Sequence, residues 1–580
     1  MSTSAPAQVP GTNLKSEGLD RGVGFWGLMF TSEGSLIGSG WLLGALTAAA
    51  LAGPSAIFGW VLGSVIVFLL ALVHAELAGM FPVAGGTSRF AHYSFGSFAG
   101  ITFGWASYLQ AAAVAPIEVL ATLQYTSGSV GFAHSWVTTH TVNGSTTHTL
   151  SGVGILVALA LLVFFAALNT VGIRLLAKVN GAITTWKIAI PVVTILIFLI
   201  GYFHSANLGS SVGGFFAHKG GALQNILLTL PGGIVFSFLG FEQAIQLGGE
   251  AQDPKQLIRA VFVALGLATV IFILVQLAFL GSVPTNLLHT AGGWTSDCLN
   301  GVGKCGGNQT LVEMTSSPFK TVASIVGLSW LATILSIDAV VSPAGTGLVY
   351  ETSTSRLSFG MAKNGFLPSA FETVSSGTKA PIVGIVVAAV VGILFLLPFP
   401  SWSALVNVIT STAVLMYAGA PLALMALRKQ KPNAPRPYRV PAAEVLAPLS
   451  FVAATWVIQF SGWYTVTTLM LGMLIGYALV ALTYALKLNA KAPAMDWASA
   501  PWIVTYLFGM LVLSFIYPYN KKGAFGGLTN IWAGHADGSI ALWLSLLLDA
   551  VFALAIYFWA IRTRLPVEKV NEYETDVHVE

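Results

Sequence analysis

Gly34-Ser35-Leu36-Ile37-Gly38-Ser39-Gly40 interrupts the first apolar run of the chain, and Ser237-Phe238-Leu239-Gly240-Phe241-Glu242 interrupts the sixth. Glycine clusters weaken a helix and expose backbone N–H and C=O groups. In hydrocarbon such groups persist only where they line a cavity or bind something. Two breaks of this kind, about 200 residues apart, are the pattern of a secondary transporter built from inverted repeats. The bland alternative is that the glycines only let helices approach closely. One small-xxx-small match would favour that alternative; two interrupted spans in corresponding positions favour the transporter.

The composition sets the same frame. Of 580 residues, 55% are hydrophobic and 8% charged, with mean hydropathy +0.79, whereas a soluble domain carries about 25% charge. Residues 1–22 are polar, with no apolar core before the first span, so no cleavable signal peptide is expected. The net charge of +4 fits lysines and arginines held at one membrane face and needs no nucleic acid as partner.

Apolar runs of about 20 residues predict spans at 24–50, 54–80, 97–125, 150–172, 181–202, 225–248, 256–282, 321–350, 380–398, 402–427, 443–461, 463–486, 500–518 and 540–562. The expected fold is an all-α polytopic membrane protein with fourteen spans and both termini on one side. Between 443 and 486, Ser461-Gly462-Trp463 is the sole interruption. With the N-terminus inside, the outer loops hold Lys219, Lys304, Lys320, Lys521 and Lys522; Lys187 lies within a span, and the other 20 of the 26 Lys and Arg lie inside. That bias predicts cytoplasmic termini in a cell membrane. The chain then divides into a tail (1–22), a transport core (23–430) with repeats at about 24–202 and 225–427, four additional spans (431–562) and a second tail (563–580).

Two outer loops have extracellular character. Residues 126–150 are rich in Ser, Thr and His, and 283–320 contain both cysteines, Cys298 and Cys305. A disulfide suits an oxidising exterior; two free thiols are the alternative. Asn143 and Asn308 begin glycosylation sequons, a pattern too short to carry weight.

Ionisable residues inside a span are functional candidates by default. Lys187, in Thr184-Thr185-Trp186-Lys187-Ile188, reads either as a fixed or titrating cation or as a lysine snorkelling to the interface. Glu118, in Ala115-Pro116-Ile117-Glu118-Val119, reads as a proton carrier or a hydrogen-bonded structural group. Glu33 and Glu242 flank the two breaks; each is placed to accept freed backbone N–H groups or to take up a proton. Asp338 and Asp549 are weaker candidates, and Glu76 reads as interfacial. Of the aromatics Tyr350 and Phe236, only Phe236, adjoining a break, is assigned a role; Tyr350 reads as packing.

A half-helix that starts in mid-membrane presents free N–H groups and a positive dipole end, which suit a carboxylate. One that ends there presents free carbonyls, which suit an ammonium group. A zwitterionic α-amino acid has this layout. Ser39 and Gly40, next to Gly38, are expected to take the carboxylate; the carbonyls near Leu36, Ile37 and Leu239 the ammonium; and Phe236, beside Ser237, is expected to stack over the substrate as a lid.

With these motifs in place, the chain resembles the amino acid–polyamine–organocation superfamily, and within it the bacterial amino-acid permeases. Gly34 to Gly40 is similar to the family's first-helix motif, and Phe81-Pro82-Val83-Ala84-Gly85-Gly86 to its loop after helix two. Gly172-Ile173-Arg174 and Ala177-Lys178-Val179 resemble the fourth-to-fifth connection. Phe238 to Glu242 with Gly249-Glu250-Ala251-Gln252-Asp253-Pro254-Lys255 resembles the sixth helix and its following loop. Ser355-Arg356 through Met361-Ala362-Lys363-Asn364-Gly365-Phe366-Leu367-Pro368 resembles the signature after helix eight. The resemblance implies the leucine-transporter fold, with spans 1–5 and 6–10 as inverted repeats, substrate at the midplane and alternating access. It also implies that Lys187 stands where relatives bind sodium and that Glu118 couples protons. The sequence around Glu33, Glu118 and Asp338-Ala339-Val340-Val341-Ser342-Pro343 is similar to aspartate–proton symporters. Two features depart from the family: the last two spans exceed the usual twelve, and Phe236 replaces a tryptophan of some relatives. The presumed pocket also holds no basic residue for a second carboxylate.

The first expectation is therefore an amino-acid importer driven by proton symport, with the proton as coupling ion, no other cofactor, and an amino acid and the lipid bilayer as partners. A substrate–product exchanger is the alternative, and a transporter-like sensor a further one. No nucleophile elbow, metal-ligand cluster or phosphate loop points to an enzyme.

Overall fold

The computed structural model describes residues 21–128, 131–142, 145–171, 173–216, 222–299, 305, 307–396, 401–516 and 539–579. The N-terminal tail to residue 20, Asn143, Lys219, Lys304, Lys521 and Lys522 lie outside the described residues.

Span 1 consists of two half-helices, Phe25–Leu36 and Ser39–Ala52, parted at Ile37 and Gly38. Spans 2 to 5 follow as Ala56–Met80, Ser97–Ser127, Gly152–Asn169 and Ile173–Gly201. Span 6 begins as Ala222–Thr229, passes through a π turn at Leu230–Ile234 and the short helix Val235–Ser237, opens, and resumes at Glu242–Gln246. Spans 7 to 10 are Pro254–Ser282, Ser329–Lys363, Ile382–Leu396 and Trp402–Gln430. Spans 11 to 14 are Ala443–Phe460, Gly462–Ala485, Ala500–Ile516 and Ser539–Arg562. Among the described residues, 11 segments are long and apolar enough to cross a membrane. One of them, Ser39–Met80, joins the second half of span 1 to span 2, and Ala222–Ser237 and Ile382–Leu396 are shorter apolar helices. Counting the joined segment twice and adding the two short helices accounts for the fourteen expected crossings. Both breaks fall where glycine was expected to place them, and Gly462 (φ +82°) divides spans 11 and 12.

Span 8 departs from its expected bounds of 321–350. It starts at Ser329, after the separate helix Pro318–Ile325 and a turn at Gly327 (φ +82°), and continues to Lys363. Hydropathy stops at Tyr350 because the remaining turns are polar, yet Thr352, Ser355, Arg356 and Ser358 are buried inside the protein. Glu76 also departs from expectation. Instead of lying at the interface it is fully buried, because the chain after span 10 folds back over it. Arg428 (2.6 Å) and Arg436 (3.0 Å) pair with its carboxylate, and Val440 N donates to it at 2.7 Å.

A hairpin of Val137–Val142 and Ser145–Leu150 is the exception to the helical fold among the described residues; its threonine-rich strands suit extended backbone. Cys298 and Cys305 form a disulfide. Asn308 caps the helix Gln309–Ser316 through Leu311 N at 3.2 Å.

Spans 3 and 8 pack along one another, and span 10 packs on span 3. Span 1 packs against spans 5, 7 and 8. The apolar stretch of span 10 is entirely buried: spans 2, 3, 11 and 12 all pack on it, and span 11 packs in turn on spans 2 and 14. The chain ends in the helix Val567–Val579, where Lys569 pairs with Asp496 and Tyr573 Oη donates to the same carboxylate at 2.8 Å. Asp496 also accepts Ser97 N, at the start of span 3, at 3.2 Å.

Candidate substrate and coupling site

The first half-helix of span 1 ends with carbonyls that lack helical donors. Gly38 N turns to Leu36 O (3.2 Å), which leaves Gly34 O free of the bond a continuing helix would give it. Span 5 supplies side-chain donors to the last two turns of this half-helix. Asn180 Nδ2 (3.0 Å) and Thr184 Oγ1 (3.1 Å) donate to Phe30 O, and the Lys187 ammonium donates to Gly34 O. Lys187 Nζ also donates to Thr346 Oγ1 at 2.7 Å, and that hydroxyl donates to Gly34 O at 2.9 Å. Lys187 is fully buried and Thr346 nearly so. The lysine therefore does not snorkel: its charge ends on the helix break.

The second half-helix begins with unpaired N–H groups and a positive dipole end. Glu118 of span 3 meets it. Ser39 N donates to Glu118 Oε2 at 2.8 Å, Ser39 Oγ donates to Oε1 at 3.1 Å, and Trp402 Nε1 donates to Ser39 Oγ at 2.9 Å. Gly38 is required here because a Cβ would stand 2.8 Å from both Glu118 Oε1 and Thr346 Oγ1.

The break in span 6 is stabilised from within. Gly240 has φ +138°, and its N donates to Glu242 Oε2 at 2.9 Å. Tyr417 Oη donates to Oε2 at 2.7 Å, while Gln243 Nε2 (2.9 Å), Tyr350 Oη (3.2 Å) and Gln110 Nε2 (3.4 Å) donate to Oε1. Glu242 thus takes the freed N–H, one of its two expected roles. Glu33 does not behave likewise: it is fully buried, and neither carboxylate oxygen has a hydrogen-bond partner among the described residues. The two breaks touch, since a Cβ on Gly240 would lie 2.7 Å from Ser35 Cβ and 2.8 Å from Leu36 N. Ser32 Oγ further bonds Phe241 O at 3.1 Å.

Between the breaks lies a narrow cavity lined by Ser35, Leu36, Gly38, Gly40, Val114, Glu118, Phe236, Ser237, Leu239, Thr346 and Tyr350. Of the residues assigned to substrate from the sequence, Leu36, Gly38, Gly40, Phe236, Ser237 and Leu239 lie on this wall. Ile37 and Ser39 lie behind it, as does Lys187, screened by Thr346. Phe236 stands edge-on to Trp402, with ring centroids 5.9 Å apart. Sequence reasoning missed Ser35, Val114 and Thr346 and read Tyr350 as packing. Helical spacing carries a signal for three of these. Val114 is one turn before Glu118, and Thr346 and Tyr350 continue the four-residue series from Asp338, so each shares a face with a buried acid.

A family model described as amino acid permease matches residues 23–460. The chain belongs to the amino acid permease family. This permease is 35% identical over 556 residues to the glutamate/serine transporter AimA of Bacillus subtilis (strain 168), covering 96% of each chain. It is 33% identical over 561 residues to the aspartate-proton symporter of the same organism, covering 96% of this chain and 99% of the relative. The branched-chain amino acid permease BcaP of that organism is 24% identical over 466 residues, 79% of this chain and 92% of the relative. The permease is thus a multi-pass membrane transporter of amino acids and not an enzyme.

Proposed function

We propose that this permease imports a small polar amino acid across the cell membrane by proton symport, alternating access around the cavity between broken spans 1 and 6, with both termini cytoplasmic. The observation that carries the reading is the buried Lys187 ammonium on Gly34 O and Thr346 Oγ1. An ammonium at the helix break stands where a metal ion would otherwise sit, and an amine that gains and loses that proton couples the break to the proton gradient. Glu118 is the second coupling group, because it holds the Ser39 N–H that a substrate carboxylate would seek. The name of the aspartate-proton symporter supports proton coupling, and the names of both closely covering relatives support serine, glutamate and aspartate as the first candidates.

The test is uptake of radiolabelled amino acids into proteoliposomes with and without an imposed inward proton gradient. Gradient-stimulated accumulation of serine, glutamate or aspartate is expected, and Lys187→Ala should abolish it in protein that still folds. Uptake that needs only counter-substrate inside would overturn symport in favour of exchange.

A further inference from the structure

Three buried carboxylates, Glu118, Asp338 and Glu33, each from a different span, lie within electrostatic range of Lys187. Glu118 is committed to Ser39. The other two have no part in the cavity or in the pairing of the breaks. Asp338 is fully buried. Its Oδ1 accepts Trp186 Nε1 at 2.9 Å and Ser342 Oγ at 2.7 Å, while Oδ2 has no hydrogen-bond partner among the described residues. Trp186 immediately precedes Lys187. Asp338, Ser342 and Thr346 recur every four residues and share one face of span 8, and the Thr346 hydroxyl bonds Lys187. Asp338 thus stands two turns, about 12 Å along the helix axis, from Thr346. Glu33 precedes Gly34, the residue whose carbonyl takes the ammonium, and both its oxygens are orphaned. A buried carboxylate is costly in a membrane; Asp338 has donors on one oxygen only and Glu33 on neither, and neither residue caps a helix or closes an ion pair within bonding distance.

The two acids lie on opposite sides of the lysine. Successive spans alternate in direction, so the half-helix Phe25–Leu36 enters from the face at which span 8 ends. Glu33 lies toward that face and Asp338 toward the other. We propose that Asp338 and Glu33 are the proton relay groups on the two sides of Lys187, a reading that rests on Lys187 as the coupling amine. The Asp338 carboxylic acid yields its proton along the face of span 8 that carries Ser342, bonded to Asp338, and Thr346, bonded to Lys187, to the neutral Lys187 amine, leaving a carboxylate and an ammonium. The ammonium then yields a proton to the Glu33 carboxylate, leaving an amine and a carboxylic acid that discharges to water when that face opens. The titratable groups facing the relay are Tyr125 of span 3 at Asp338 and Lys187 at both acids.

The experiment compares full-length Asp338→Asn, Asp338→Glu, Glu33→Gln and Lys187→Ala in proteoliposomes, with pH set separately inside and outside. Two readouts are taken: gradient-driven accumulation, and counterflow at equal pH, which needs no net proton transfer. Asp338→Asn and Glu33→Gln should each lose at least about ten-fold in gradient-driven accumulation while counterflow persists. Asp338→Asn should abolish the dependence on outer pH and Glu33→Gln the dependence on inner pH; Asp338→Glu should restore the former. Asparagine and glutamine variants with the parent's pH dependence would overturn the relay, as would variants that lose counterflow in equal measure. Loss of gradient-driven uptake in Lys187→Ala alone would leave symport standing without the relay, and its retention there would overturn the coupling role of the lysine itself.

Discussion

Glu118 holds the amide that the charge layout of the breaks assigns to a substrate carboxylate. On the proposed function, substrate and Glu118 compete for Ser39, and a protonated Glu118 is the weaker competitor because a neutral acid gains less from a helix N-terminus. Glu118→Gln keeps the shape and drops the charge, so gradient-driven uptake should fall about ten-fold or more and its pH profile flatten; a profile like the parent's would make the residue structural. Gly240→Ala tests the contact between breaks. Left-handed backbone costs about 1–3 kcal/mol for other residues, and the new Cβ would stand 2.7 Å from Ser35 Cβ. The melting temperature of the purified protein should drop and substrate binding weaken. At this scale the sequence was most legible where hydrocarbon makes a residue expensive. Lys187, Glu118 and the glycines announced themselves, whereas Val114 and Thr346 are uncharged span residues whose sole sequence signal is the helix face they share with Glu118 and Asp338.

Single elements carry their own tests. Glu76 ties span 2 to the end of span 10 through Arg428, Arg436 and Val440 N. Breaking a buried pair by removing one partner leaves uncompensated charge and costs about 3–5 kcal/mol. Glu76→Ala should therefore lower the melting temperature and the yield of folded protein, while a variant of an exposed acid should do neither. The terminal helix is a pH test. Burial works against the Asp496 carboxylate, but Lys569, Tyr573 and the Ser97 N–H outweigh it and hold the group below its ordinary value of 3.8. A lowered folded pKa gives a contribution that is complete above the unfolded value, near 3.9, and is lost as pH falls through the folded one. Hydrogen exchange in Val567–Val579 should rise below about pH 4, and Asp496→Asn should show the faster exchange already at pH 7. Element bounds were legible wherever hydropathy and helix end together. They were not for span 8, whose last turns are polar yet buried, or for Glu76, whose arginine partners lie some 350 residues away.

For the molecule as a whole, fourteen crossings and two breaks follow from apolar run length and glycine placement, and both are local signals. The packing of the four additional spans left no such signal, since an apolar helix face reads the same against lipid as against protein. The structure places span 11 against span 10, the helix that supplies Trp402 to Ser39 and Tyr417 to Glu242. On the other flank, spans 4 and 5 are only 28% and 33% buried in their apolar windows, against 100% for span 10. The annular lipid thus touches the helix that carries Lys187 but not the one that braces Ser39 and Glu242. A change in bilayer thickness therefore strains the Lys187 side of the cavity directly and reaches the bracing side only through protein.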